Sequence, residues 1–420
     1  MALNIIGIEP AADIRVPPEV AEGGALKGWR QAIDAAVSVT DCPHWTLGAA
    51  AGFVGPVLSR CGLDTCGVNF SGPTSRGKTT AVALGVSTSS VPKLVSESLL
   101  QSMRATENAL EIAARRSSCL ILGLDELAHV DGKTLGRVIY FLAGGISKAR
   151  MSAQLKLRER YTWRTFALLS SEKSLAQKII GDGGEWAGGM AVRFPDIDCS
   201  EVDANVPRDT LTKIGGIYHN YGVAIGPFAQ AFMDGGWFDE PDELRAKIFG
   251  AADAIAGPDA DGARRRAALP FALIGVCGAL AREYGFLPEA TDIKGAIKWG
   301  WGRFIRSTEA LALAPYKRAL VNLRRWIAEH WDSALKKIGS GFQNNRDAVG
   351  WYDDDAIYIP TDRMLEAVGG VLSVRPFVRK LDENGLLLRR TDDRRLAVRS
   401  VPKIGKVDVY CLDRKAFRDD

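Results

Sequence analysis

The stretch Gly72-Pro73-Thr74-Ser75-Arg76-Gly77-Lys78-Thr79-Thr80 decides how this chain is read. It fits G-x-x-x-x-G-K-[ST], a loop whose backbone N–H groups cradle nucleotide phosphates. The apolar run Gly67-Val68-Asn69-Phe70 before it is expected to be a strand, and Ala81-Val82-Ala83-Leu84 after it to open a helix. The motif needs that context. Its glycines let the backbone turn inward, and the helix N-terminus adds partial positive charge. In that setting Lys78 reaches the β- and γ-phosphates and Thr79 holds Mg²⁺. The plain alternative is a Gly-rich turn ahead of a helix.

Downstream, Ser118 to Glu126 forms an apolar run that ends in Asp125-Glu126. A strand buried in a parallel sheet reads as such a run, and ligands bind at its C-terminal end. Asp125 is then expected beside the phosphate loop, helping to hold Mg²⁺, with Glu126 polarising the attacking water. The alternative is a core strand that meets a solvated acidic turn. Thr165 to Ser171 is a second buried-type strand with a polar end. Ser170 or Ser171 could contact the γ-phosphate or the water, or could cap the helix that follows. Val192-Arg193-Phe194 follows a Gly-rich turn into a further short strand. Arg193 is either a surface arginine or a guanidinium that reaches the nucleotide of an adjacent subunit.

Between these strands, Leu135 to Leu142 has helical spacing and ends at Gly144-Gly145. In the earlier stretch Leu99 to Arg116, the run Met103 to Arg116 reads as amphipathic, with Ala105, Ala109, Ile112 and Ala113 on one side. Residues 148–164 carry Lys148, Arg150, Lys156, Arg158, Arg160 and Arg164 against the single acid Glu159. Alternation from Leu155 to Arg160 suits a hairpin. Local positive charge beside aromatic residues suits a nucleic-acid contact, the alternative being a solvated basic hairpin.

Composition narrows the classes. At 420 residues with net charge +4, the chain can bury a sizeable core, and any nucleic-acid surface on it must be local. The seven cysteines form no C-x-x-C pair and the four histidines are scattered, so no metal-ligand spacing is present. No apolar run is long enough to span a membrane. The expected location is cytoplasmic.

The remaining chain is read as an N-terminal arm (1–27), a core with a helical lead-in (28–200), a helical lid region (201–340) and a compact C-terminal unit (341–420). In the lid, Ala263 to Tyr284 reads as one long helix in which Pro270 argues for a kink or a late start. In the last unit, helix, helix and a basic β-wing form a winged-helix pattern. Thr361 is expected to cap its first helix. Arg375, Arg379 and Lys380 lie on the candidate recognition helix, with Arg389, Arg390, Arg394 and Arg395 on the wing. Such modules also bind proteins.

The order GPTSRGKTT, TENALEIAARR, LILGLDEL, VIYFLAGGISKAR, basic hairpin, WRTFALLSS, VRFPDI, RRRAALPFALIGVCGALA and winged helix resembles a bacterial domain-of-unknown-function family of mobile elements. It looks like an AAA+ ATPase close to the MCM replicative helicases. The resemblance covers roughly residues 28–412 and implies an α/β fold: an AAA+ phosphate-loop αβα core, a helical lid and a winged helix. It implies ATP and Mg²⁺ as cofactors, bound by residues 72–80, Asp125 and the serine pair Ser170 and Ser171. Lys78 and Glu126 become catalytic, and Arg193 becomes an arginine finger acting in trans. Arg266 becomes the second sensor, with Arg264 and Arg265 close in register. The basic segment becomes a channel hairpin with Lys156 and Arg158 at its tip.

The expected function is then an ATP-driven DNA helicase or translocase working as a ring, a homo-oligomer of hexameric type. Relatives of the MCM type carry a large N-terminal DNA-binding domain where this chain has a short arm. Either the sequence is a fragment or minimal version, or another polypeptide, a separate DNA-binding or primase protein, supplies that domain. Two other readings remain: an ATP-switched DNA-binding initiator or loader that does not unwind, and a monomeric phosphate-loop kinase.

Overall fold

The computed structural model describes residues 22–125, 127, 130–149, 160–184, 186, 188–258, 260–307, 310, 315–338, 347–370, 372–388, 397–401 and 405–417. Glu126, Lys156, Arg158, Arg389, Arg390, Arg394 and Arg395 lie outside them. The chain divides into two compact units, 1–313 and 314–420. The second begins earlier than the boundary expected after 340. The helix α14 (Pro315–His330) belongs to it, because Ala319, Leu323 and Ile327 are buried in its core with Ile357, Ile359, Phe377 and Leu412.

The first unit is built on five strands: β1 (Cys66–Ser71), β2 (Leu100–Ser102), β3 (Ile121–Asp125), β4 (Phe166–Ser170) and β5 (Asp196–Asp198). Their order is β2-β3-β4-β1-β5, and every pairing is parallel. The two strands that carry the nucleotide motifs are therefore not neighbours, since β4 lies between β1 and β3. Buried parallel strands are apolar on both faces, and the alternation sorts their side chains. Val68, Phe70, Ile121, Phe166 and Leu168 join one core. Leu122, Leu124, Ala167 and Leu169 join another.

The first face carries α1 (Leu26–Val37), α2 (Pro43–Ala51), α3 (Val54–Arg60), α4 (Lys78–Ser87) and later helices. The second carries α5 (Glu107–Arg116), α6 (Gly132–Gly144) and α7 (Leu175–Gly181). The result is an α/β architecture with helices on both sides of the sheet. The short helix α8 (Gly188–Ala191) leads to β5. Then α9 (Arg208–Ile214), α10 (Ile225–Asp234), α11 (Pro241–Ala256), α12 (Gly262–Glu283) and α13 (Ile293–Ile305) complete the unit.

Several local expectations are corrected. The segment 99–116 opens with a strand the sequence did not signal: Leu100–Ser102 adds β2 at the sheet edge, and Thr106 caps α5. The buried face of α5 is Leu110, Glu111, Ala113 and Ala114, while Ile112 is 51% exposed. The lead-in helix that the sequence suggests from Trp45 to Leu58, with a break at Gly55-Pro56, breaks instead at Gly52-Phe53, between α2 and α3, so Pro56 sits in the first turn of α3, where a missing N–H costs little. Pro270 lies inside α12, which runs through it.

Helices α2 and α4 approach closely through small residues. A Cβ at Gly48 would fall 2.0 Å from the Ala81 carbonyl oxygen, so only glycine admits this contact. Among the described residues, no helix is long and apolar enough to cross a membrane. All seven cysteines are free thiols.

The second unit contains a sheet in the order β6 (Leu335–Lys337), β7 (Gly350–Tyr352), β8 (Ala356–Pro360), β10 (Gly405–Asp413), β9 (Ala397–Val401). Only β6–β7 is parallel. Helices α15 (Thr361–Ala367) and α16 (Val374–Glu383) follow β8, and α17 (Arg414–Phe417) follows β10. Thr361 is the first residue of α15 rather than its cap. Pro360 holds the cap position, without a side-chain hydrogen bond.

Candidate nucleotide site

Because the sheet is all parallel, its strand C-termini share one edge. Register places Phe70 beside Ser170, and Leu124 beside Leu169. Ser71, Ser170 and Asp125 therefore end in a row, and the phosphate loop leaves β1 at that edge. The loop needs unusual backbone: Gly72, Ser75 and Gly77 have φ of +129°, +61° and +70°. Position 77 requires glycine for a second reason. A Cβ there would lie 2.6 Å from Trp45 Nε1, which itself donates to the Gly77 carbonyl at 2.9 Å. Trp45 thus fixes the end of the loop from the lead-in helix α2. Nothing in the sequence distinguished this tryptophan from an ordinary core residue.

His44, its neighbour, is fully buried, with its ring centroid 6.1 Å from those of Phe70 and of Trp299. Burial lowers its pKa to about 4. The nearby Arg76 and Gly77 backbone opposes that shift, and the Lys78 charge adds to it.

Lys78, the first residue of α4, is 8% exposed, and its Nζ donates to the Pro73 carbonyl at 2.5 Å. Burial lowers the pKa of this ammonium, while Cys199, Glu172 and Asp125 act the other way. Arg76 donates from Nη1 to the Val202 carbonyl at 2.8 Å. Thr74, Ser75, Arg76, Gly77, Lys78, Thr79 and Thr80 form one wall of a cleft of about 450 Å³; Asp125, Leu127, Ser170, Ser171 and Glu172 form the other. That volume is in the range of small-ligand sites.

The serine pair divides its work. Ser170 Oγ donates to Asp125 Oδ1. Ser171 Oγ instead donates to the Lys173 carbonyl at 2.6 Å. Neither caps α7: that role belongs to Ser174, in a capping box with Gln177. Glu172, exposed on the cleft wall, is a site residue that sequence reading missed.

The donor set suits Mg²⁺. Thr79 and Asp125 offer hard oxygens on facing walls. Mg²⁺ keeps several waters and takes one or two carboxylates plus phosphate oxygens, so it needs no protein cage. Among the described residues no cluster of three or more His, Cys, Asp or Glu could hold a metal.

Other expected residues lie apart from this cleft. Arg193 is in the turn between α8 and β5, exposed, with Nη1 donating to the Gly189 carbonyl at 3.1 Å. Its own carbonyl accepts from Gly67 N at 3.0 Å, at the start of β1. From Gly67 to the loop is about 15 Å at the rise of a strand, so Arg193 does not reach the cleft of its own chain. Arg266 is exposed, donates from Nε to the Gly262 carbonyl at 3.2 Å, and does not line the cleft. Arg264 lies 5.8 Å from the Trp301 ring, and Arg265 pairs with Asp253 at 3.6 Å.

The ends of the basic segment pair as a hairpin would. Ile146 and Thr162 form an antiparallel bridge, and Trp163 N donates to Gly145 O at 2.9 Å. Arg160 donates from Nε to the Ser147 carbonyl at 2.7 Å. Lys148 is engaged by Glu107 through its ammonium and by Glu111 through its N–H. In the second unit Arg375, Arg379 and Lys380 are exposed on α16, with Arg379 3.6 Å from Glu383.

Residues 10–161 match the family described as Domain of unknown function (DUF927). A solved structure described as "SCCmec type IV Cch - active helicase" has a similar fold, with a TM-score of 0.67 at 18% identity over 94% of this chain and 72% of that chain. No curated protein matches in sequence.

Proposed function

We propose that the chain is an AAA+ ATPase resembling the MCM-like helicases, and that it uses ATP to translocate on DNA and separate its strands. The observation that carries this reading is the cleft itself: Lys78 and Thr79 on one wall face Asp125, Ser170 and Ser171 on the other. Placing β4 between β1 and β3 supports it, because Ser170 is thereby set between the two nucleotide motifs. Fold similarity to a helicase over 94% of the chain supports the motor reading.

In this function the loop N–H groups and Lys78 bind and orient the phosphates. Thr79 and Asp125 would hold Mg²⁺, which neutralises charge on the phosphate oxygens when bound. Ser170 keeps the Asp125 carboxylate aimed into the cleft. Glu126 orients the attacking water. Arg193, remote from its own cleft, completes that of an adjacent subunit in a ring. The basic segment 148–164 contacts DNA through Lys156, Arg158 and Arg160. In the second unit the order α14, β8, α15, α16, β9, β10 supports a winged helix, with Arg375, Arg379 and Lys380 on a recognition helix in a groove and Arg394 and Arg395 on a wing along the duplex backbone.

The test is strand displacement on a forked duplex with ATP, alongside sizing with a non-hydrolysable analogue. Displacement by a ring is the expected result. The exposed cations of α16 favour one second reading, an ATP-switched initiator or loader. Salt-sensitive duplex binding without displacement is its signature.

A further inference from the structure

Asn69 occupies a position where a buried parallel strand is normally apolar. Val68 and Phe70 flank it, and all three are fully buried. A buried polar group without partners costs about 1–3 kcal/mol, and here the amide nitrogen finds two acceptors while Oδ1 is buried without a hydrogen bond. Nδ2 donates to Asp196 Oδ2 at 2.8 Å and to Ser171 Oγ at 2.7 Å. A carboxylate only accepts, so Asp196 fixes which end of the amide faces it. The same Oδ2 accepts from Leu175 N, at the start of α7, at 2.7 Å. Asn69 N donates to the Pro195 carbonyl at 3.1 Å, and Ser171 N to the Phe70 carbonyl at 3.0 Å.

The Asn69 amide thus holds the tip of β4 and the start of β5, and Asp196, its partner, holds the start of α7. Residues 170–172 form the wall opposite the loop. That wall is gripped from both sides: Ser170 by Asp125, and Ser171 by Asp196 through Asn69. Asn69 does not line the cleft. Asp196 follows Arg193 by two intervening residues, so the turn that carries Arg193 is tied to the same grip.

We infer that Asn69 is a positioning residue for nucleotide hydrolysis. It sets Ser170, Ser171 and Glu172 against the phosphate loop, and links that wall to the turn that carries Arg193. This rests on the ATPase reading above. In the full chain, Asn69→Ala is expected to lower kcat by about 10- to 100-fold, the scale of a small misplacement in a reacting site. Affinity for a fluorescent ATP analogue should stay within about 3-fold, since no ligand contact is lost.

Asn69→Asp alone sets two carboxylates face to face and should be worse. Combined with Asp196→Asn it re-forms the 69–196 bond with donor and acceptor exchanged, and Ser171 Oγ must turn from the Lys173 carbonyl to donate to the new carboxylate, so kcat should recover at least about 10-fold over Asn69→Asp without reaching wild type. Asn69→Ala with wild-type kcat overturns the inference. So does an equal loss of analogue affinity, or a folded exchange variant that stays inactive. Should Asn69→Ala fail to fold, the exchange variant decides by the same criterion. A wild-type chain that hydrolyses no ATP removes the ATPase reading itself. Hydrolysis that Lys78→Ala abolishes and Asn69→Ala leaves intact removes this inference alone.

Discussion

Trp45 and Gly77 are joined from two sides: the indole Nε1 donates to the glycine carbonyl at 2.9 Å, and the same nitrogen occupies the space a Cβ would take. Gly77→Ala therefore meets both a steric clash and a backbone at φ +70°. It is expected to weaken nucleotide binding at least about 10-fold, read by analogue titration. Trp45→Phe keeps most of the packing and loses the bond. About 1 kcal/mol of stability should go with it, measured by chemical denaturation.

Lys78→Ala and Glu126→Gln separate binding from turnover. The first removes the cation aimed at the phosphates and should abolish both. The second keeps the loop intact, so analogue binding is retained while hydrolysis falls by about 100-fold or more. Steady-state ATPase beside equilibrium binding reads the difference. A Glu126→Gln variant that turns over normally would remove this glutamate from the mechanism.

Arg193 sits at the edge of the sheet opposite its own loop, and that geometry supports a mixing experiment. Arg193→Ala and Lys78→Ala chains are each expected to be inactive. Mixed together, they should regain partial ATPase, because a wild-type loop can then face a wild-type Arg193. No recovery in assembled mixtures counts against a shared site.

The paired ends of the basic segment predict a split phenotype. Lys156→Ala with Arg158→Ala should leave basal ATPase within about 2-fold and abolish strand displacement, since in the proposed function both act on DNA and not on nucleotide. DNA-stimulated ATPase, measured in the same samples, should fall with displacement.

His44 predicts an acid sensitivity. Its pKa is held at about 4 in the folded chain against an ordinary 6.5. The unfolded chain therefore binds the extra proton first. Stability contributed by the neutral ring is full above about pH 6.5 and is lost as pH falls toward 4, by roughly 3 kcal/mol. His44→Leu should flatten the melting-temperature profile between pH 7 and 4. An unchanged slope would assign the acid loss to other groups.

Much of the candidate site could be proposed from sequence because the phosphate-loop motif and the Asp125 strand are local patterns, each complete within a dozen residues. The helices α6 and α12 and the strand β4 were legible for the same reason, as continuous periodic or apolar runs. Trp45, Asn69 and Glu172 were not. What marks them is a neighbour more than 30 positions away, and no periodicity encodes it. The edge strand β2 escaped because three residues are too few for a pattern, and its pairing with β3 supplies what its sequence lacks. The unit boundary was misplaced because the Gly-Ser-Gly stretch signals a turn, whereas the apolar stripe of α14 decides which core that helix joins.

β4 deserves a mechanical description. All five of its residues are buried, and it is hydrogen-bonded on both sides, so it cannot slide independently of the sheet. At one end Ser170 touches Asp125; at the other, Trp163 and Thr162 close the base of the basic segment. The strand is a connecting rod about 17 Å long. The candidate cleft and the foot of the basic segment are thus the two ends of one continuous buried strand.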